Sequence, residues 1–451
     1  MQRLLIRNIK TLVSCDEQDT VYENVDLYAE NGIIRAIGPK LDRQADEVLD
    51  ASHMLCYPGL VNTHHHLYQQ FSRNLPQVQN MELFDWLKTL YEIWKNLDED
   101  VIRLSSLTGM GELMKHGCTT CFDHHYVFPA GSGDLIGAQL DAAGQLGIRM
   151  ACSRGSMDLS VKDGGLPPDS VVQSVDEIMA DSVRLIEKYH DPSFGSMHTL
   201  ALAPCSPFSV SPELLRQSAI LARQYHVRLH THLCETKDEE NYMLEREGMR
   251  PLAFMEKLGW VGPDVWYAHG IHFNDEELKL LAETGTGVCH CPASNMKLSS
   301  GIARVPDMLK LGVPVGLGVD GSASNDGSSL MEELRTAVLL HRLNSSREAP
   351  SGYDVLKIAT RGSARLLGRS DIGSLAAGKC CDLFLIDSRR MELVGACYDP
   401  KSVLATVGVR GPVDYTVVNG KITVREGRLA SVDEEKLARD AQAKCTEYLE
   451  K

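Results

Sequence analysis

Three consecutive histidines follow a short apolar run near the start of the chain. The run covers residues 60–63, and the histidines are His64, His65 and His66. Because side chains alternate between the two faces of a strand, His64 and His66 point the same way and His65 points the other way. Two imidazoles at one strand end are suitable ligands for a divalent transition metal. The spacing therefore predicts part of a metal site.

Three further polar residues end or directly follow apolar runs downstream. They are His232, His269 and Asp320. A set of three histidines and one aspartate at strand ends can close around one Zn²⁺ or Fe²⁺ and leave a position for water. These residues therefore predict a single metal centre, with zinc as the first choice and iron as the alternative.

The same residues suggest hydrolytic chemistry. A divalent metal lowers the pKa of a water ligand toward about 7. Asp320 can take the proton from that water, and Glu235, three residues after His232, can carry protons between water and substrate. His269 can orient the nucleophile and stabilise developing negative charge, either outside the coordination sphere or as a distant ligand.

A second metal would need another ligand, commonly a modified lysine at the end of the fourth strand. Residues 201–206 read Ala-Leu-Ala-Pro-Cys-Ser and contain no lysine. The sequence therefore favours one metal over two.

An alternation of strand-like and helical patterns between residues 58 and 370 predicts the scaffold for these groups. Such alternation implies parallel pairing, and eight repeats imply a closed (β/α)8 TIM barrel of the α/β class. Catalytic groups then gather at the carboxyl ends of the strands. The predicted strands are 60–63, 119–123, 149–154, 200–203, 227–232, 265–269, 287–291 and 315–319.

The two ends of the chain have a different pattern. Residues 1–57 and 371–451 contain short β-rich runs separated by turns, and Asn419-Gly420 is a hairpin signal. Neither end has enough strands to be stable alone, so we predict that both ends form one small β-sandwich. The last residues, 433–451, have a helical composition.

Composition excludes several classes of protein. The chain has 451 residues and a net charge of −15, which argues against binding to a nucleic-acid backbone. No apolar run reaches the roughly 18 residues of a membrane span, and the start has no signal-peptide pattern. We therefore expect a cytoplasmic protein with reduced thiols at its 13 cysteines. Exposed apolar loops on a barrel of this size favour a homo-oligomer.

The motifs resemble the amidohydrolase superfamily, specifically its mononuclear aminohydrolases. This resemblance implies that His64, His66, His232 and Asp320 are the metal ligands and that Glu235 and His269 handle protons. Asn62 stands where the family often has aspartate, but that position is not a ligand. The matching segments are 58–67 (Pro-Gly-Leu-Val-Asn-Thr-His-His-His-Leu), 232–235 (His-Leu-Cys-Glu), 268–270 (Ala-His-Gly), 318–321 (Gly-Val-Asp-Gly) and 377–383 (Ala-Gly-Lys-Cys-Cys-Asp-Leu).

Four other segments, 123–129, 154–157, 163–169 and 204–211, resemble the 8-oxoguanine deaminases within that superfamily. This resemblance implies hydrolysis of the 2-amino group of 8-oxoguanine to urate and ammonia, a reaction of purine metabolism. Relatives act on guanine, isoxanthopterin, adenosine-type purines and triazines, so those small heterocycles remain alternatives. A catalytically inactive scaffold would require loss of ligands, and all the predicted ligands are present.

A pocket for a flat heterocycle needs an aromatic wall and a few fixed polar groups. Trp86 is predicted to supply the wall, and Gln70 can pair with a ring amide through its donor and acceptor. Tyr126, Arg154 and Cys205 follow the second, third and fourth strands and are predicted to line the pocket.

Other histidines are interpreted differently. His65, His230 and His290 fall on the opposite face from the functional positions or outside the pattern, so we interpret them as structural. The pair His124-His125 is predicted to lie in a substrate loop or behind the ligands rather than to bind the metal.

Overall fold

The structure is a computed structural model that describes residues 2–451. Its strands are β1 Arg3–Val13, β2 Val21–Glu30, β3 Ile33–Gly38, β4 Glu47–Asp50, β5 Met54–Pro58, β6 Leu60–Asn62, β7 His65–His66, β8 Cys118–Phe122, β9 Arg149–Ser156, β10 His198–Pro204, β11 Arg228–Leu233, β12 Val265–His269, β13 Gly287–His290, β14 Val315–Leu317, β15 Asp320–Gly321, β16 Leu383–Asp387, β17 Tyr415–Val418, β18 Lys421–Arg425 and β19 Arg428–Leu429.

Its helices lie mainly between the strands of the middle region. They are α1 Leu83–Trp94, α2 Glu99–Lys115, α3 Leu135–Leu146, α4 Val175–Tyr189, α5 Pro212–Tyr225, α6 Lys237–Glu247, α7 Pro251–Lys257, α8 Asp275–Thr284, α9 Pro292–Lys297, α10 Val305–Leu311, α11 Ser322–Asn325, α12 Leu330–Ser345, α13 Gly352–Lys357, α14 Ser363–Leu366, α15 Val403–Thr406 and α16 Glu434–Leu449.

Eight parallel strands form the predicted barrel, in the order β6-β8-β9-β10-β11-β12-β13-β14. The last strand returns to the first, because Thr63 N donates to Leu317 O at 3.1 Å and β7 pairs in parallel with β15. Most strand residues are buried, which explains their continuous apolar runs, since helices cover one face and the barrel core the other. The predicted (β/α)8 architecture is confirmed.

The two terminal segments pair with each other, as predicted. β5 from the first segment and β16 from the last pair antiparallel. The strands form one continuous nine-stranded sheet, β19-β18-β17-β16-β5-β1-β2-β3 with β4 on β1, whereas we predicted a sandwich. The chain then ends in helix α16. Within residues 2–451, no helix is both long and apolar enough to cross a membrane.

A buried ion pair joins the barrel to the terminal sheet. Arg149 opens β9 and is 1% exposed, and its Nε donates to Asp382 Oδ2 at 2.5 Å. The same guanidinium also donates to Asn419 Oδ1 at 3.2 Å in the turn between β17 and β18. The pair therefore ties the first residue of a barrel strand to two segments of the terminal sheet.

Removal of one partner of this pair should be costly. We expect Asp382→Ala to lower the free energy of unfolding by about 3–5 kcal/mol, because Arg149 is left as a buried cation without a counter-charge. Chemical denaturation of the purified protein measures the loss. Asp46→Ala, which breaks the exposed pair between Arg3 and Asp46, is the matched control and should have a much smaller effect. Equal losses in the two variants would contradict the assignment.

Candidate metal centre and active site

Four ligand atoms converge at the carboxyl end of the barrel. His66 Nε2 lies 3.1 Å from His232 Nε2, and Asp320 Oδ1 lies 3.2 Å from the Nε2 atoms of both His64 and His66. Ligands that bind one zinc ion tetrahedrally at 2.0–2.1 Å lie about 3.3–3.4 Å from each other. These spacings therefore match one shared ion.

The other ring nitrogen of each histidine is already engaged. His66 Nδ1 donates to His124 O at 2.7 Å, and His232 Nδ1 donates to Cys205 O at 2.6 Å. A carbonyl only accepts, so the proton lies on Nδ1 and the lone pair lies on Nε2, which faces the centre. These two carbonyls thus fix the tautomer that binds a metal.

A histidine fixes the tautomer of the third ligand. His230 Nδ1 donates to Trp266 O at 2.9 Å, so His230 Nε2 accepts from His64 Nδ1, also at 2.9 Å. Among the described residues, His64 Nε2 is buried and makes no hydrogen bond. This nitrogen therefore has a buried lone pair that faces two other imidazoles and a carboxylate. Together these groups form a donor set for a divalent metal, so the residues fit the ion.

The charge states also suit a metal. Burial lowers the pKa of His64 to about 3 and that of His232 well below its usual value, which keeps the imidazoles neutral as ligation requires. Burial alone would raise the pKa of Asp320, but the adjacent His64 and His66 hold it well below its usual range. The site therefore offers neutral nitrogens and one carboxylate.

Glu235 and His269 lie beside this group. Their closest atoms, Glu235 Oε2 and His269 Nε2, are 3.5 Å apart, and His269 Nε2 is 4.0 Å from Asp320 Oδ2. Burial raises the pKa of Glu235, while Ser300 Oγ donates to its Oε1 at 3.2 Å. Burial would lower the pKa of His269, but Glu235 and Asp320 raise it overall. The pair can hold a proton on either member.

The backbone at these strand ends adopts an unusual conformation. Cys234, His269 and Asp320 have φ values of 54°, 72° and 64°, in the left-handed region that non-glycine residues seldom occupy. The buried Glu239 carboxylate accepts from the backbone N–H groups of Cys234 and Glu235, both at 2.9 Å. These contacts hold the turn that presents Glu235.

Sequence reasoning missed two residues that support the site. Ser294 Oγ donates to Asp320 Oδ2 at 2.5 Å, and Asn295 Oδ1 accepts from His269 Nδ1 at 2.8 Å. Both lie in α9, directly after β13. Their place after the end of a barrel strand is the signal that would have identified them, since His64, His232, His269 and Asp320 follow that rule.

A cavity opens next to the ligand atoms. The volume of this cavity is about 30 Å³, which is enough for about two water molecules. Binding of a larger ligand therefore requires the cavity walls to move. The cavity is lined by His66, Gln69, Leu83, Trp86, Leu87, Tyr126, Cys205, Phe208, His232, Glu235, His269, Leu298, Asp320 and Ser324. The structure thus brings together the predicted residues Trp86, Tyr126 and Cys205 with the metal and proton-handling groups.

Gln70 differs from the prediction. Its Oε1 accepts from Ser322 Oγ of α11 at 2.7 Å, and its Nε2 contacts Glu112 Oε2 of α2 at 3.4 Å, so it joins two helices outside the cavity. The neighbouring Gln69 faces the cavity instead, with an Oε1 that is buried and unpaired among the described residues. A 3₁₀ turn over Leu67–Ser72 turns residue 69 inward.

Arg154 also lies outside the cavity. Its Nε donates to Asp181 Oδ2 and its Nη2 to Gln173 Oε1, both at 2.7 Å. The guanidinium stacks on the Phe128 ring, 3.9 Å from its centroid. Because its guanidinium is engaged by these partners, Arg154 stabilises the loop after β9 and does not bind a ligand in the cavity. The partners are too distant in the sequence for a local pattern to reveal these contacts.

The remaining histidines pack behind or away from the ligands. His65 contacts Ser328 Oγ at 3.1 Å, and His290 contacts His341 at 3.1 Å. His124 Nε2 donates to Ala203 O at 2.7 Å, and the ring lies close to His64, His66 and His232, with an Nδ1 that has no partner among the described residues. His230 shares its face with His232, contrary to the prediction, and acts on the site through His64.

Comparison with known proteins places this geometry in a family. Residues 55–423 match the sequence model of the Amidohydrolase family. The chain is 49% identical to 8-oxoguanine deaminase of Pseudomonas aeruginosa over 85% of each chain. It is 42% identical to hydroxydechloroatrazine ethylaminohydrolase of Pseudomonas sp. (strain ADP) over 98% of this chain and 95% of that one.

Solved structures have the same fold. The crystal structure of atrazine chlorohydrolase from Arthrobacter aurescens, complexed with zinc, superposes with a TM-score of 0.95 at 34% identity and covers 98% of this chain and 100% of that chain. The match extends over both the barrel and the terminal sheet. This protein therefore belongs to the amidohydrolase family, as a metal-dependent hydrolase that acts on C–N bonds.

Proposed function

We propose that this protein deaminates 8-oxoguanine to urate and ammonia in the cytoplasm, with one zinc ion held by His64, His66, His232 and Asp320. The observation that carries the chemistry is a buried Glu235 with a raised pKa beside His269 and Asp320. The identity of 49% to an 8-oxoguanine deaminase supports the substrate. Iron is the alternative metal, because imidazole and carboxylate ligands suit both ions.

The chain's own residues manage the protons of this reaction. When bound, a divalent metal lowers the pKa of water and so supplies an attacking hydroxide near neutral pH. The ionised Asp320 accepts the proton that the water loses, while the carbon that bears the 2-amino group forms a bond to the water oxygen. Glu235, whose raised pKa favours the protonated form, donates a proton to the neighbouring ring nitrogen.

Collapse of the tetrahedral carbon breaks its bond to the amine. The amine takes up the proton that Asp320 holds and leaves as ammonia, while Glu235, ionised by its earlier donation, takes the proton of the new hydroxyl group, so the oxygen of water remains on the ring as a carbonyl. The cationic form of His269, which lies between Glu235 and Asp320, stabilises the negative charge that develops during attack.

The cavity wall offers groups suited to a purine. The Trp86 ring provides a flat surface, and its Nε1 is buried without an acceptor among residues 2–451. Gln69 brings an amide with both donor and acceptor. Unpaired buried polar groups cost free energy until a ligand satisfies them, so they favour a ligand with complementary ring nitrogens and carbonyls.

A triazine hydrolase is the second candidate. The observation in its favour is the coverage of the hydroxydechloroatrazine relative, which extends over 98% of this chain, against 85% for the 8-oxoguanine deaminase. Guanine and isoxanthopterin are further alternatives within deaminase chemistry.

A substrate panel separates these candidates. The purified, zinc-loaded protein is assayed for ammonia with 8-oxoguanine, guanine and isoxanthopterin, and for ethylamine with an N-ethylamino-hydroxytriazine. We expect the highest kcat/KM with 8-oxoguanine. A higher kcat/KM with guanine or with the triazine would show that the substrate assignment is wrong while leaving the hydrolytic chemistry intact.

Two adjacent glutamines provide a matched test of the pocket. We expect Gln69→Ala to lower kcat/KM for the substrate by about 5- to 150-fold, the effect of losing one buried hydrogen-bonding partner, with little change in stability. Gln70→Ala should instead lower the free energy of unfolding by about 1–3 kcal/mol, because the buried Ser322 and Ser328 hydroxyls lose the acceptor that they share.

Steady-state kinetics and chemical denaturation of both variants check this prediction. The reverse result, with specificity lost in Gln70→Ala and stability lost in Gln69→Ala, would contradict the orientation of the 3₁₀ turn over Leu67–Ser72.

A further inference from the structure

A second cavity lies at the amino end of the barrel strands, opposite the metal ligands. It holds about 190 Å³, room for several waters or one small ligand. Its wall includes Thr199 of β10, Arg228 at the start of β11, and the segment 367–369 that follows α14. It shares no lining residue with the active-site cavity.

Arg228 presents an incompletely paired guanidinium to this cavity. Its Nη2 donates to Pro263 O at 2.6 Å, but its Nε is buried and has no hydrogen-bond partner among residues 2–451. No carboxylate of the described residues forms a salt bridge with it. The guanidinium lies above the Trp266 ring, 5.8 Å from the centroid. The side chain is half-buried, and a cation that is partly removed from water normally has a counter-charge.

Two more donors line the same space. The Ser196 side chain is 5% exposed, and its Oγ has no partner in the part of the chain that the structure describes. His190 Nδ1 accepts from Leu200 N at 3.1 Å, so its ring proton lies on Nε2 and is available to donate. The cavity therefore combines a cation with two neutral donors.

The carboxylates near the cavity are engaged elsewhere. Asp264 binds Arg223 at 3.1 Å, and Asp371 binds Arg369 at 2.6 Å. Asp191 accepts a backbone N–H two residues further along the chain at 2.9 Å. None of them forms an ion pair with Arg228, although Asp264 is near enough to raise the pKa of its guanidinium against the larger lowering by burial, so Arg228 keeps hydrogen-bond donors that are free to bind an anion.

We propose that this cavity is a binding site for a small oxyanion, either a phosphate or a carboxylate, held by Arg228 with Ser196 and His190. An oxyanion accepts from the guanidinium and from both neutral donors at once, and charge-assisted hydrogen bonds of this kind are the strong ones. The site is separate from catalysis and does not depend on which substrate the active site takes.

Calorimetric titration of the metal-loaded enzyme at low ionic strength tests the proposal. Inorganic phosphate is the probe in one arm and propionate in the other, and the tighter binder identifies the class. We expect Arg228→Met to weaken binding of that anion by about tenfold or more, the loss of about 1.4 kcal/mol or more. The matched control Arg216→Met removes an exposed arginine of α5 that pairs with Glu213, and it should bind as the parent does.

Ser196→Ala gives a second test with less risk to folding, and we expect it to weaken binding about threefold to tenfold. The proposal would be overturned if the parent, Arg228→Met and Ser196→Ala bound the anion with equal affinity. It would also be overturned if the parent enzyme bound neither phosphate nor propionate. Competitive inhibition of turnover by phosphate, with the same constant in the parent and in Arg228→Met, would place the anion at the metal centre and would also overturn it.

Discussion

Replacement of Glu235 by glutamine should lower kcat by about 10²–10⁴-fold, the range for loss of a general acid–base group. Glutamine keeps the shape of the side chain and can still contact Ser300, but it cannot exchange a proton. The Nε2 atoms of His64, His66 and His232 and the Asp320 carboxylate converge without Glu235. We therefore expect the variant to retain one metal per chain.

Two measurements together check this result. Stopped assays of ammonia give kcat, and inductively coupled plasma mass spectrometry gives metal per chain. Glu245→Gln, at an exposed glutamate of α6, is the control and should change kcat less than about twofold, since substitutions on the surface have small effects. A rate for Glu235→Gln near that of the parent would exclude the proton-transfer role.

Replacement of His66 by alanine should abolish both metal binding and turnover. His66 supplies one of the converging Nε2 atoms, and even residues that only support ligands alter metal affinity 10–100-fold, so loss of a ligand should exceed about 100-fold. The residual rate should not recover when zinc is added at concentrations that saturate the parent enzyme.

The matched control is the adjacent His65→Asn. This variant keeps an acceptor for the His66 backbone N–H, which His65 Nδ1 accepts at 2.8 Å, and it should retain the metal. Metal loss from His65→Asn with retention in His66→Ala would reverse the predicted faces of the strand.

Much of the site could be predicted because barrel geometry gathers the strand ends. His64, His232, His269 and Asp320 are far apart in the chain, yet each ends or follows a strand whose apolar run is visible in the sequence. Parallel pairing in a closed barrel then brings those ends together. Because side chains alternate between the two faces of a strand, the sequence also indicated that His64 and His66 share a face and that His65 lies on the other.

Residues outside the strands could not be predicted in the same way. The choice between Gln69 and Gln70 depends on a 3₁₀ turn, whose period differs from those of strands and α-helices. The position of Arg154 depends on Asp181, which lies 27 residues away in α4. Such contacts arise from tertiary packing rather than from a local pattern.

The face predicted for His230 was wrong, although the structure gives it the structural position that we predicted. Residues 230 and 232 are two apart on β11, so alternation puts both on the inner face. His230 lies one layer deeper in the barrel and donates from Nδ1 to the Trp266 carbonyl. A histidine outside the proposed ligand set can still fix the tautomer of a proposed ligand.

The most direct test of the metal centre is anomalous diffraction at the zinc absorption edge from crystals of the purified protein. We expect one peak per chain, about 2.0–2.2 Å from the Nε2 atoms of His64, His66 and His232 and from a carboxylate oxygen of Asp320. Absence of a peak after zinc loading, or a peak bound by a different set of residues, would contradict this expectation.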